Sequence, residues 1–268
     1  MKEIGLEEVK KIELELLLKF DAICTKHNLR YFLGYGTLIG AVRHQGFIPW
    51  DDDIDVVMPR PDYEKLNQLI GNQNIDNRYC LLNSETKDYI YSFSKFVDLR
   101  TQMVEKWMIS NVLGVYIDVI PLDGVPADTA ERKHFYDKLM FYHYGLLMST
   151  RVNKSRRTLL KTIASRIMYY PVKLVGYKNW RKKVQKLCNK YPYEESEYIG
   201  NLSLDTYLRK ECYPKAIFDN TIRIMFEGHL FCVPERYDEL LRHIYGDYMV
   251  LPPIEQRVKK HENKAYWK

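Results

Sequence analysis

The chain has 268 residues, 46% of them hydrophobic, and its 41 Lys or Arg against 35 Asp or Glu give a net charge of +6. This composition excludes a disordered or low-complexity polypeptide and supports one large domain, or a core domain with a smaller appendage. No run reaches the roughly 18 consecutive apolar residues that span a bilayer, and the charged stretch from Met1 to Lys11 predicts no secretory signal.

Leu6, Val9, Ile12, Leu16, Leu17, Phe20 and Ile23 recur at helical intervals and predict an amphipathic helix ending near His27-Asn28. Tyr31 to Leu33 is a predicted strand leading into Gly34-Tyr35-Gly36, with Thr37 expected to cap a helix from Leu38 to His44. A loop from Gln45 to Trp50 then delivers the chain to Asp51-Asp52-Asp53-Ile54-Asp55. Asp55 to Met58 is the next predicted strand, stopped by Pro59 and Pro61, and Pro61 opens a helix through Ile70. Further strands are predicted at Tyr79 to Asn83, Tyr91 to Val97, Gln102 to Trp107 and Val115 to Ile120, the last closed by Pro121 and the turn residues Asp123-Gly124. From Ala127 to Lys190 the pattern is mostly helical. A late strand is predicted at Phe226 to Val233, and Pro234 opens a helix through Tyr245 that Gly246 ends.

Alternate side chains of an extended strand share a face, so Asp53 and Asp55 are expected to project together while Ile54 and Val56 enter the core. Two carboxylates so placed repel, and hard oxygen ligands of this kind suit magnesium or manganese. Asp118 interrupts an apolar run, where a carboxylate is costly unless paired, hydrogen-bonded or metal-bound. It either joins the metal site or caps a neighbour at a strand end. The Gly36-Thr37 turn can cradle a phosphate at a helix start, or serve only as a tight turn.

Five cysteines, Cys24, Cys80, Cys188, Cys212 and Cys232, lack the spacings of a zinc site or redox pair, which predicts reduced thiols in a cytoplasm. Between Arg151 and Lys190 stand 13 Lys or Arg and no Asp or Glu, leaving 28 basic against 35 acidic residues elsewhere. Leu159, Leu160, Ile163, Ile167, Met168, Val172, Leu174 and Val175 recur there at roughly helical intervals, interrupted by Pro171 and Gly176. Such a stretch can rest on anionic lipid. The competing readings are a solvated helix face and an RNA-binding patch, the latter weakened by the lack of an interleaved aromatic stacking motif.

Three blocks, YFLGYGTLIGAVRHQGFIPWDDDIDVVMPRPDY, VYIDVIPLDG and YGDYMVLPP, resemble the LicD family of phosphocholine transferases of bacterial surface glycans, related to the fukutin-type phosphosugar transferases. The resemblance covers about residues 30 to 124 and 226 to 261, and least of all the basic segment. It implies an α+β fold of the nucleotidyltransferase superfamily, a mixed sheet with flanking helices and a helical, basic insertion. Its expected organisation is a catalytic core over 1–126, a mostly helical basic region over 127–225 and a C-terminal strand, helix and loop over 226–268 that packs back on the core. Carried over by position, Asp53, Asp55 and Asp118 are the expected catalytic and metal-binding carboxylates, with Asp51 a further metal candidate. Gly36, Thr37, Arg43, Trp50 and Lys95 are the expected substrate-binding residues.

The implied reaction is Mg2+- or Mn2+-dependent transfer of phosphocholine from CDP-choline to a hydroxyl of a lipid-linked glycan: a teichoic acid, capsule or lipopolysaccharide precursor. The enzyme would work at the inner face of the cell membrane, against anionic lipid and without nucleic acid. The alternatives are transfer of glycerol or ribitol phosphate from a CDP donor, a nucleotidyltransferase using a nucleoside triphosphate, and a non-catalytic binding module. Arg43 would clamp phosphate or stand on a helix surface, His44 would be a surface histidine, and the Trp50 ring would face a quaternary ammonium or simply pack.

Overall fold

The computed structural model describes residues 1–105, 108–109, 112–151, 171–204, 210–258 and 263–268. A short strand β1 (Lys2–Ile4) precedes helix α1 (Leu6–His27), which buries Val9, Ile12, Leu16, Leu17, Phe20 and Ile23, the predicted stripe. Asn28 ends the helix in the left-handed conformation, φ 52°, with its N–H turned back on the carbonyls of Cys24 and Thr25. Strand β2 (Phe32–Leu33) follows, and helix α2 (Tyr35–His44) starts earlier than expected. Gly34 is its N-cap and Tyr35 takes φ 45°, so the turn into the helix is complete before Thr37, which is buried inside it and caps nothing.

Strand β3 (Asp55–Pro59) leads into α3 (Arg60–Ile70), then β4 (Asn74–Ile75), β5 (Tyr79–Leu82), β6 (Ser94–Asp98), β7 (Thr101–Val104) and β8 (Val115–Val125). Tyr91 to Phe93 lie outside β6, whose pairing with β8 starts at Ser94 opposite Val119. The expected strand from Gln102 stops at Val104; its predicted end, Lys106 and Trp107, lies outside the described residues.

The expected stop at Pro121 is also corrected, since β8 runs through Asp123-Gly124 to Val125. The Asp118 N–H donates to the Ile54 carbonyl. Alternate amides point to opposite edges, so position 121 directs its nitrogen away from β3, past Val119, the last residue paired with β6, and proline costs no ladder bond there. Gly124 is required by close approach, because a Cβ on it would collide with the Tyr191 carbonyl.

Helices α4 (Thr129–Thr150) and α5 (Tyr177–Cys188) pack together over a second apolar cluster of Phe135, Tyr136, Leu139, Trp180, Val184 and Leu187. Strands β9 (Tyr198–Gly200) and β10 (Tyr213–Pro214) then return to the main sheet, so the 127–225 region is not helical throughout. A hairpin of β11 (Thr221–Phe226) and β12 (His229–Pro234) stands where one late strand was expected, and a boundary after residue 225 cuts through it. Glu227 and Gly228 form its turn, both with positive φ, the backbone demanded by a tight two-residue connection but unusual for glutamate. Helix α6 (Tyr237–Tyr245) and strand β13 (Lys264–Trp267) complete the chain, β13 lying antiparallel between β1 and β7.

The fold is α+β. In the main sheet β8 is central, parallel to β3 and antiparallel to β6 and β9. Of the basic segment, Leu159 to Met168 lie outside the described residues; Val172 and Val175 pack on the second cluster while Leu174 is 87% exposed. Arg181 does not belong to a solvated face: it is buried and donates to the carbonyls of Tyr89 and Ser84. Among the described residues no helix is long and apolar enough to cross a membrane.

Candidate active site

An open cleft of about 280 Å³ is lined by Asp51, Asp53, Asp55 and Asp118 together with Gly36 and Trp50. Three local features bring them there. The approach to β3 carries Asp51 to Asp55, with Ile54 and Val56 buried between the acids as the strand alternation requires. Lys95, Asp118 and Asp55 stand abreast on β6, β8 and β3, because Lys95 is the register partner of Asp118 and Asp118 that of Asp55. The third feature is the start of α2, where the absence of a side chain on Gly36 lets the Asp51 carboxylate approach; a Cβ there would collide with Asp51 Oδ2.

The electrostatics follow from enclosure and like charge. The Asp55 carboxyl is pushed well above its ordinary value by loss of solvent, then by Asp53 and Asp118, with Lys95 pulling the other way. Burial likewise raises Asp118 against the pull of Lys95, whose ammonium donates to Asp118 Oδ1 at 2.5 Å. Lys95 is only 2% exposed and sits 3.5 Å from the Tyr116 ring centre and 4.5 Å from that of Tyr91.

Three of the expected substrate-binding residues are not among those that line the cleft and are engaged with the protein itself. The Thr37 hydroxyl accepts the Asp55 N–H at 2.9 Å and so fixes where β3 begins; Thr37 does not line the cleft. Lys95 is the counter-ion of Asp118, held under aromatic rings and away from the cleft lining. Arg43 is not among the cleft-lining residues; its Nη1 donates to the Tyr248 carbonyl at 2.6 Å and its Nε to His44 Nε2 at 3.0 Å. It thereby ties the Tyr245 to Pro253 block to α2, and Tyr245 lines the cleft. The loop from Gln45 is anchored by the hairpin turn, where Glu227 bonds the Phe47 N–H and Gln45 O.

Sequence reasoning missed two buried acids. Glu13 falls in the apolar stripe of α1, 2% exposed, raised by burial and then by Asp53, Asp52 and Asp118. An acid at a core position of the helical period was the signal. Glu211, 1% exposed, lines the cleft beside Tyr35 and Asn201; no periodicity marks it.

Oxygens of Asp51, Asp52 and Asp53 lie within 4.8 Å of one another, closer than any grouping that includes Asp55 or Asp118 among the described residues. The donors are all carboxylate oxygens, with no thiol or imidazole, and the set fits a hard divalent cation such as magnesium or manganese. Asp53 also lines a second, smaller cavity with Glu13 and Asp52, which puts it in the wall between the two.

Residues 28–146 match the family model described as LicD/FKTN/FKRP, nucleotidyltransferase domain. Over 275 aligned residues the chain is 33% identical to the lipopolysaccharide cholinephosphotransferase LicD of Haemophilus influenzae, covering 99% of each. Uncharacterised proteins of Rickettsia typhi and Rickettsia prowazekii are each 39% identical over shorter stretches, 26% and 24% of this chain and 23% and 27% of theirs.

Proposed function

The chain belongs to the LicD family, and from that premise we propose that it transfers phosphocholine from CDP-choline to a hydroxyl of lipopolysaccharide or a related lipid-linked glycan, with magnesium or manganese as cofactor. The observation that carries this reading is the gathering of four aspartates, from residues 51 to 55 and from β8, on one cleft of a chain that aligns end to end with a cholinephosphotransferase.

Asp51 and Asp53, with Asp55 beside them, would hold a divalent cation, which would supply positive charge to offset that of a bridging diphosphate. The first amides of α2 lack intrahelical acceptors and open on the cleft at Gly36, so the positive end of the helix faces the same phosphates. Lys95 engages one oxygen of Asp118 and orients the carboxylate, leaving the other to accept the proton of the attacking hydroxyl. The raised proton affinity of Asp118 suits it to that exchange. Exposed Lys178, Lys182, Lys183 and Lys186 on or beside the outer face of α5 support work at the anionic inner face of the membrane.

Incubation of the protein with Mg2+, CDP-choline and lipopolysaccharide tests the reading: CMP release with choline incorporated into the glycan is expected. Pyrophosphate release from CTP without CMP release from CDP-choline would contradict it. Within that assay Gly36→Ala is expected to lower turnover by about tenfold to a hundredfold, since its methyl group displaces the Asp51 carboxylate from the reacting centre. Thermal unfolding should stay close to wild type, because the displaced group is a side-chain end at a cleft.

A further inference from the structure

Glu211 is buried and bonded in an unusual way. Its Oε1 accepts the Tyr35 hydroxyl at 3.0 Å, and its Oε2 accepts the Tyr213 hydroxyl at 2.8 Å and the Asn201 N–H at 3.2 Å. Three donors and no acceptor are the surroundings of an ionised carboxylate. Yet no Lys, Arg or His among the described residues pairs with it, and burial pushes its carboxyl up to about 7 while the three donors pull it down. Among the described residues the cleft thus holds a buried acid with no basic counter-ion.

The kind of cation that would complete it follows from the same bonds. A carboxylate has about four lone-pair positions, and three are taken here, so little remains for an ammonium that donates hydrogen bonds. A trimethylammonium group carries charge but no N–H, and it needs aromatic faces and methyl-sized apolar walls. The cleft supplies both. Tyr35, Trp50 and Tyr245 line it alongside Glu211, and Ile39, Ile48 and Leu204 add apolar surface to the same lining. Arg257, whose guanidinium lies 5.5 Å from the Trp50 ring centre, is not among the lining residues.

We infer that Tyr35, Trp50 and Tyr245, arranged about the Glu211 carboxylate that Asn201 and Tyr213 help to hold, form the subsite for the quaternary ammonium of the donor. This rests on the reading of the cleft as a phosphocholine-transfer site and adds to it the residues that select choline.

The test compares CDP-choline with its neutral isostere, CDP-3,3-dimethylbutanol, in which carbon replaces nitrogen. Binding to the full chain is followed by titration calorimetry with Mg2+ and no acceptor. CDP-choline is expected to bind about tenfold more tightly, and both Glu211→Gln and Trp50→Leu should erase the preference. Trp50→Leu leaves the Glu211 hydrogen bonds untouched, so it decides the matter if Glu211→Gln does not fold. Equal affinities in the wild type, or a preference that survives Trp50→Leu, would overturn the subsite. CMP release from both donors at equal efficiency would keep the transfer reading and remove the subsite. If neither nucleotide binds, phosphocholine against 3,3-dimethylbutyl phosphate decides: a preference keeps the subsite while the nucleotide-donor reading falls, and none overturns both.

Discussion

Asparagine in place of Asp53 is expected to lower CMP release from CDP-choline by about a thousandfold or more, the scale on which removal of preorganised electrostatic groups acts. The protein should stay folded. Asp53 is the aspartate common to both cavities and to the close group with Asp51 and Asp52. Its charge also raises the proton affinity of Asp55, Asp118 and Glu13. Asparagine keeps the shape of the side chain, and the thermal midpoint of Asp53→Asn should stay close to that of the wild type. Calorimetry and circular dichroism beside the CMP assay check both halves. A variant that loses activity only because it unfolds would refute this account of Asp53.

The second large effect concerns stability. Arg60, at the start of α3, grips Asp123 of β8 with two bonds, Nε to Oδ1 at 2.6 Å and Nη2 to Oδ2 at 2.9 Å, and the Asp123 side chain is fully buried. Asp123→Ala leaves that guanidinium against the sheet with only the half-exposed Glu64 carboxylate, 3.0 Å from Nη1, as counter-ion, and removing the buried partner of such a pair costs up to about 3–5 kcal/mol. Urea unfolding should show it as a lower midpoint. Replacing both partners, Arg60→Met with Asp123→Leu, should recover much of the loss, because no charge is then stranded. A fall of less than about 1 kcal/mol in the single variant would mean that the pair behaves as an exposed one.

Much of the frame is visible in the residues alone. The α1 stripe, the acidic entry to β3 and the apolar run of β8 each carry a local signature, and the helix after Pro59 begins within a residue of its expected place. What local pattern does not carry is reach. Arg43 finds its acceptor on Tyr248, 205 positions along the chain, so a surface residue by periodicity becomes a clamp by tertiary contact. Thr37 has the chemistry of a cap, but Gly34 and the positive φ of Tyr35 complete the turn first, and the hydroxyl is free to take the Asp55 amide. Lys95 reads as a phosphate ligand until register sets it beside Asp118. Glu211 gains meaning only when Tyr35, 176 positions away, and Asn201 join the neighbouring Tyr213 in bonding it. Glu227 hides a hairpin because glutamate seldom takes the left-handed backbone that the turn demands.

The proposed mechanism stands on the carboxylates of residues 51 to 55 holding a divalent cation against the donor's diphosphate. Titration of the protein with Mn2+, followed by loss of the free-ion paramagnetic resonance signal, measures that directly. Saturable binding that tightens when CDP-choline is added is expected, with loss of both binding and tightening in Asp51→Asn/Asp53→Asn. Undiminished Mn2+ binding by the double variant, or a donor that leaves wild-type affinity unchanged, would contradict the mechanism.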